Sequence, residues 1–103
     1  MTRRLRVYSL IVSCPGWARH ELADRNERYN GHRNVAQARA VVATTSRDEA
    51  ARVLDTSKHH MRLYGGETAN DEQVAVALER PGVPAYRGID DRPGDPWLRE
   101  DDE

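Results

Sequence analysis

Cys14 is the one cysteine in this 103-residue chain, and it ends an apolar run beside Pro15-Gly16. A nucleophile can sit at such a strand end. A thiol does nucleophilic work when a base takes its proton and an acid orients the base. His20, His32, His59 and His60 are the four available imidazoles. No spacing ties any of them to Cys14 or to an orienting acid, so the chain reads as non-enzymatic. Metal chemistry fares no better. His59 and His60 are adjacent, and on a helix they point about 100° apart. Two histidines four apart would share a helix face and chelate; this pair does not, and no other ligands stand at zinc spacing. A single cysteine makes neither an internal disulfide nor a thiolate cluster. Gly65-Gly66-Glu67 is not a phosphate loop, because no Lys-Ser/Thr pair follows it between a strand and a helix. No cofactor is expected.

The elements that would position these groups read as a small α+β domain. The chain is 38% hydrophobic and 32% charged, with no Phe. It can bury one modest core built on Val, Leu, Ile, Ala and two Trp. Residues 4–13 read as a strand rich in β-branched and aromatic types. Its run Leu10-Ile11-Val12 is apolar on both faces, as in a central strand covered on both sides. Residues 36–45 form a second strand. Ala38, Ala40, Val42 and Thr44 lie on one face, and Arg39, Val41, Ala43 and Thr45 on the other. A third strand spans 83–89. Pro84 cannot donate to a ladder, which makes this an edge strand or puts the proline at its start. No run approaches the roughly 20 apolar residues of a membrane span. Residues 1–13 lack the small-residue cleavage pattern of a signal peptide, so a cytoplasmic protein with no membrane partner is expected.

Three helices are expected near 47–55, 57–64 and 71–80. Ser46 with Glu49 has the capping-box spacing, in which each side chain satisfies a backbone N–H of the other. Ala50, Val53 and Leu54 make the first apolar face. Ser57 caps the second helix, and Gly65-Gly66 ends it by taking the left-handed conformation. Asn70 with Gln73 is a second capping box. It opens a helix striped by Val74, Ala77 and Leu78 and stopped by Pro81-Gly82.

The segment EAARVLDTSKHHMRLYG resembles the helix-turn-helix of small regulators of the excisionase and mercury-regulator type. Ala51, Leu54, Ser57, Met61 and Tyr64 carry the likeness, with Met61 and Tyr64 facing back. Asp55 replaces the usual turn glycine, and Thr56 the usual Val or Ile. Asp visits left-handed backbone more readily than most residues. The resemblance implies that Lys58, His59 and Arg62 read duplex DNA. The strand feeding straight into Ser46 favours a second use of the same helices, as a layer covering the sheet.

Charge is segregated. Residues 1–46 hold 8 Arg and 3 acids, and residues 69–103 hold 4 Arg and 10 acids, under an overall charge of −1. Residues 17–35 include a helix expected from Trp17 to about Arg28 and a turn at Asn30-Gly31. Arg19, Arg25, Arg28 and Arg33 there could meet phosphates or an acidic partner. The domain is expected over 1–89, with an acidic, proline-broken, mobile tail over 90–103. Trp97 and Leu98 are the tail's apolar groups. Such a dipolar chain suits head-to-tail self-association as a homo-oligomer, and equally an acidic tail that covers a basic surface in competition with nucleic acid.

The VVAxxS step from strand to helix and the phrase RLYGGETANDEQVAVAL are similar to small proteins of actinobacterial phages and mobile elements. That likeness implies an interaction protein binding a host or virion protein. Trp17 and Trp97 are its candidate apolar anchors, since aromatic and Arg side chains dominate interface energetics. The alternative is the DNA-binding regulator.

Overall fold

The computed structural model describes residues 4–18, 37–88 and 96–100. Four strands form one antiparallel sheet. They are β1 (Arg6–Ser13), β2 (Gln37–Thr44), β3 (Gly66–Glu67) and β4 (Ala85–Gly88), in the order β3-β1-β2-β4. The helices are α1 (Arg47–Val53), α2 (Lys58–Tyr64) and α3 (Asp71–Glu79), and Gly16–Ala18 makes one 3-10 turn. The α+β class and the three expected strands stand. The extra strand β3 is two residues long and pairs only with Tyr8 and Ser9. So short a piece has no period of its own, and only its partner makes it a strand.

β1 and β2 pair along their whole length, from Arg6 opposite Thr44 to Ser13 opposite Gln37. This register fixes both faces, since a one-residue slip would turn every side chain over. On one face Tyr8, Leu10, Ala38, Ala40, Val42 and Tyr86 pack against Ala50, Ala51 and Leu54 of the α1 end and Met61 of α2. On the other, Val7, Val41, Ala43 and Ala85 pack against Ala77, with Val74, Val76 and Trp97 alongside. The helices therefore do not form one layer: α1 and α2 cover one face and α3 the other. Alanines at 38, 40, 43, 50, 51, 77 and 85 are all buried. Their small size lets backbone approach backbone, which is how a chain without Phe closes two thin cores.

The caps behave as their sequences imply, with one relay. Ser46, Ser57 and Asn70 each accept from the backbone N–H three residues on, at 3.1, 3.0 and 3.0 Å. Gln73 completes its box through a neighbour. Thr68 Oγ1 accepts from the Asn70 N–H at 3.1 Å and donates to Gln73 Oε1 at 2.8 Å. Gln73 is thus buried, and α3 is rotated from its expected stripe: Gln73 and Ala77 face in, and Leu78 is exposed. Glu49 departs from its box, because its carboxylate accepts from the Thr45 hydroxyl at 3.0 Å.

β4 is an edge strand, with Pro84 just before its first residue. Of the tail expected over 90–103, the described part is 96–100, and it lies along β4. Tyr86 and Leu98 exchange backbone hydrogen bonds of 2.8 and 2.7 Å. Arg87 is 1% exposed, pairs with Glu72 of α3 at 2.9 Å, and holds its guanidinium 4.2 Å from the centre of the Trp97 ring. Arg99 donates to the Val76 carbonyl and lies 3.6 Å from Glu79. α3 has no basic residue in its last turn, and Arg99 supplies that charge from the tail.

Gly65 is the correction among the glycines. Its φ is −96°, in the extended region, so handedness does not select it. A Cβ there would run into Met61 Sδ and lie 3.3 Å from Leu10 Cδ1. Glycine is present for room. Gly65→Ala should therefore lose about 1–3 kcal/mol by overpacking. Gly66→Ala, with open space at its Cβ, should stay within about 0.5 kcal/mol. Urea unfolding of the two variants checks the contrast. In the same assay Arg87→Ala should cost about 1–3 kcal/mol, through loss of a buried side chain packed on Trp97, since the Glu72 carboxylate left behind is 38% exposed and can be solvated.

Candidate functional site

α2 is held by its ends and one plug. α1 closes in a Schellman motif: Thr56 N–H donates to the Ala51 carbonyl at 2.9 Å, and Asp55 N–H to the Arg52 carbonyl at 3.2 Å. Asp55 between them has φ 56°, the left-handed conformation its place in the turn requires. Ser57 then caps α2, and Met61 is fully buried against α1 and β1. Burying a Met side chain contributes roughly 1.5–3 kcal/mol. Met61 is the one buried residue of α2.

The rest of α2 is presented outward. Lys58, His59 and Arg62 are exposed, as are Leu63 at 58% and Tyr64 at 71%. Tyr64 thus does not face back into the helical angle. Its ring instead lies 5.0 Å from that of His60 on the previous turn. α2 has no acid in its first turn. Lys58 lies 3.7 Å from Asp48 of α1, so an acidic group sits beside the start of the candidate reading face.

The other sequence candidates are dispersed. Arg19, Arg25, Arg28 and Arg33 lie outside the described residues, as does the rest of the helix expected from Trp17 to Arg28 beyond Ala18. Trp17 is 41% exposed, and its ring meets Tyr86 edge-on at 5.6 Å. Trp97 is half-buried under Arg87, within the α3 side of the core.

A cleft of about 620 Å³ opens where the ends of β1 and β2 meet the α1–α2 turn. Cys14, Leu54, Asp55, Ser57, His60 and Tyr86 are among its lining residues. Register and turn bring Cys14 and His60 to one place although no sequence spacing links them. The Cys14 thiol is buried and donates to the Pro15 carbonyl at 3.6 Å. Asp55 was legible as a turn residue, but its carboxylate at the cleft was not. Tyr86 was legible only as a strand residue. Among the described residues no group of three or more His, Cys, Asp or Glu side chains could hold a metal ion. Nor is any described helix long and apolar enough to cross a membrane.

Burial pushes the Tyr86 hydroxyl above its ordinary value of 10.0, and the nearby Glu100, Asp55 and Cys14 add to the shift. Against protein-family models, curated proteins and solved structures the chain finds no match. Function is therefore read from its own geometry.

The Tyr86 shift has a sign. The folded protein holds the neutral phenol, so its contribution to stability is complete below the unfolded value near pH 10 and is lost as pH rises through the raised folded value. Tyr86→Phe should flatten the alkaline fall in stability above about pH 10. Urea midpoints at pH 8 and at pH 10.5 measure it; an unchanged fall in the variant would refute the assignment.

Proposed function

We propose that the chain is a small non-enzymatic interaction protein, of the kind phages and mobile elements carry, and that it binds a host or virion protein through the outward face of α2. The observation that carries this reading is the exposure of Leu63 and Tyr64, at 58% and 71%, beside Arg62 and His59 on a helix anchored by Met61. An exposed Leu alone would mean little. A Tyr, a Leu and an Arg together on one protruding helix end make the mixture found at interface hot spots. Because the face is basic, the matching surface is an apolar pocket rimmed by acids.

A second reading is supported by the turn itself. Asp55 has the left-handed backbone that a helix-turn-helix uses, and Lys58, His59 and Arg62 all face solvent. Against it, Asp48 sits 3.7 Å from Lys58, and Leu63 and Tyr64 lie where a phosphate backbone would offer them nothing.

The two readings separate in one set of variants. A host protein captured by the wild-type chain should be lost at least about 100-fold by the Leu63→Ala/Tyr64→Ala double variant, as for two hot-spot truncations of about 1.4 kcal/mol or more each. Equal capture by wild type and variant refutes the interaction face. For the DNA reading, random duplex at low salt should be retarded, and Lys58→Ala/Arg62→Ala should abolish the shift. No retardation removes that reading.

A further inference from the structure

The cleft beneath α2 has a charge character that the interaction reading does not use. Asp48, Glu49, Glu72 and Glu79 each lie within 4 Å of a basic side chain. Asp55 makes no ion pair among the described residues, and it stands at the cleft. Its backbone is held by the Schellman turn, so its position does not depend on finding a partner. The same cleft is lined by Tyr86, 8% exposed, whose hydroxyl makes no hydrogen bond among the described residues. Trp17 meets the Tyr86 ring at 77°, and this edge contact steadies it. A carboxylate and an aromatic hydroxyl that have no partner among the described residues, both on one cleft, are a complementary setting for positive charge. Ring faces attract cations through their quadrupole, and the exposed Asp55 carboxylate adds a screened attraction of the same sign. The walls include Leu54 and Val12, so the cleft suits a cation that carries hydrocarbon rather than a bare metal ion. The absence of a metal-ligating cluster among the described residues points the same way.

We propose that this cleft binds an organic cation, an alkylammonium or guanidinium group, between the Asp55 carboxylate and the Tyr86 ring. His60 lines this cleft and its ring lies 5.0 Å from that of Tyr64, so Leu63→Ala alone is the variant that alters the outward face without touching a neighbour of the cleft.

The full chain, labelled with ¹⁵N, is titrated with tetramethylammonium and with arginine amide. Tert-butanol and urea serve as neutral counterparts of similar shape. The two cations should cause saturable amide shifts centred on Cys14, Asp55–Ser57 and Tyr86, and the neutral compounds should not. Asp55→Asn should weaken binding at least about tenfold, because the loss of one close ion pair of about 1.4 kcal/mol has that effect. Asn tolerates the left-handed backbone, so this variant keeps the turn. Asp55→Gly, which tolerates it better still, is a second variant with the same expected loss. Binding should also weaken as salt rises. A blocked Gly-Arg-Gly peptide distinguishes the sources. Binding of the peptide as well as arginine amide assigns the site to a partner's side chain, and binding of the free cations alone assigns it to a small molecule. Equal binding of the neutral compounds, no saturation by either cation, or unchanged affinity in both Asp55 variants would overturn the proposal.

Discussion

Arg87 is a guanidinium with almost no access to water, on a four-residue edge strand. A charge cannot be left there alone, because its desolvation would cost several kcal/mol. Two separate pieces of chain meet that demand. α3 brings the Glu72 carboxylate to 2.9 Å, and the tail brings the Trp97 ring to 4.2 Å. The one side chain therefore ties β4, α3 and residues 96–100 together. Arg rather than Lys suits the position, since its planar group can stack on a ring while its N–H groups reach a carboxylate.

The tail then does what an edge strand needs. β4 would otherwise offer unpaired backbone groups on its outer side, a template for pairing with another chain. The bridge between Tyr86 and Leu98 meets part of that demand. Arg99 fixes the same segment to the end of α3. The tail also meets the cleft side of the sheet, because the Tyr86 backbone holds Leu98, and Leu98 packs against the same core as the Tyr86 ring.

α2 stands apart from this knot. It is joined to the body by the Asp55 turn, the Ser57 cap and Met61, and Gly65 lets the chain leave it against Leu10. A helix held so economically has most of its surface to present. Its outer face and the cleft under its first turn are built by the same few residues, but they differ in chemistry. One is apolar and basic, and the other is walled by a carboxylate, a thiol and a phenol.

By itself the sequence determined the local structure. Alternation at 36–45, the caps at Ser46, Ser57 and Asn70, and the stop at Pro81-Gly82 are effects within a few residues, and each element lies close to where its residues place it. The tolerance of Asp55 for left-handed backbone is local too. The distribution of helices over two faces was decided by tertiary structure, because an apolar stripe does not say which side of a sheet will cover it. So was the role of Arg87, whose burial depends on Glu72, 15 positions back, and on Trp97, 10 positions on. Gly65 was legible as a helix end but not as a packing contact, since Met61 and Leu10 meet it only in the fold. The cleft is the fullest case. Cys14, Asp55, His60 and Tyr86 come from four parts of the chain, and strand register, a non-local constraint, is what brings them together.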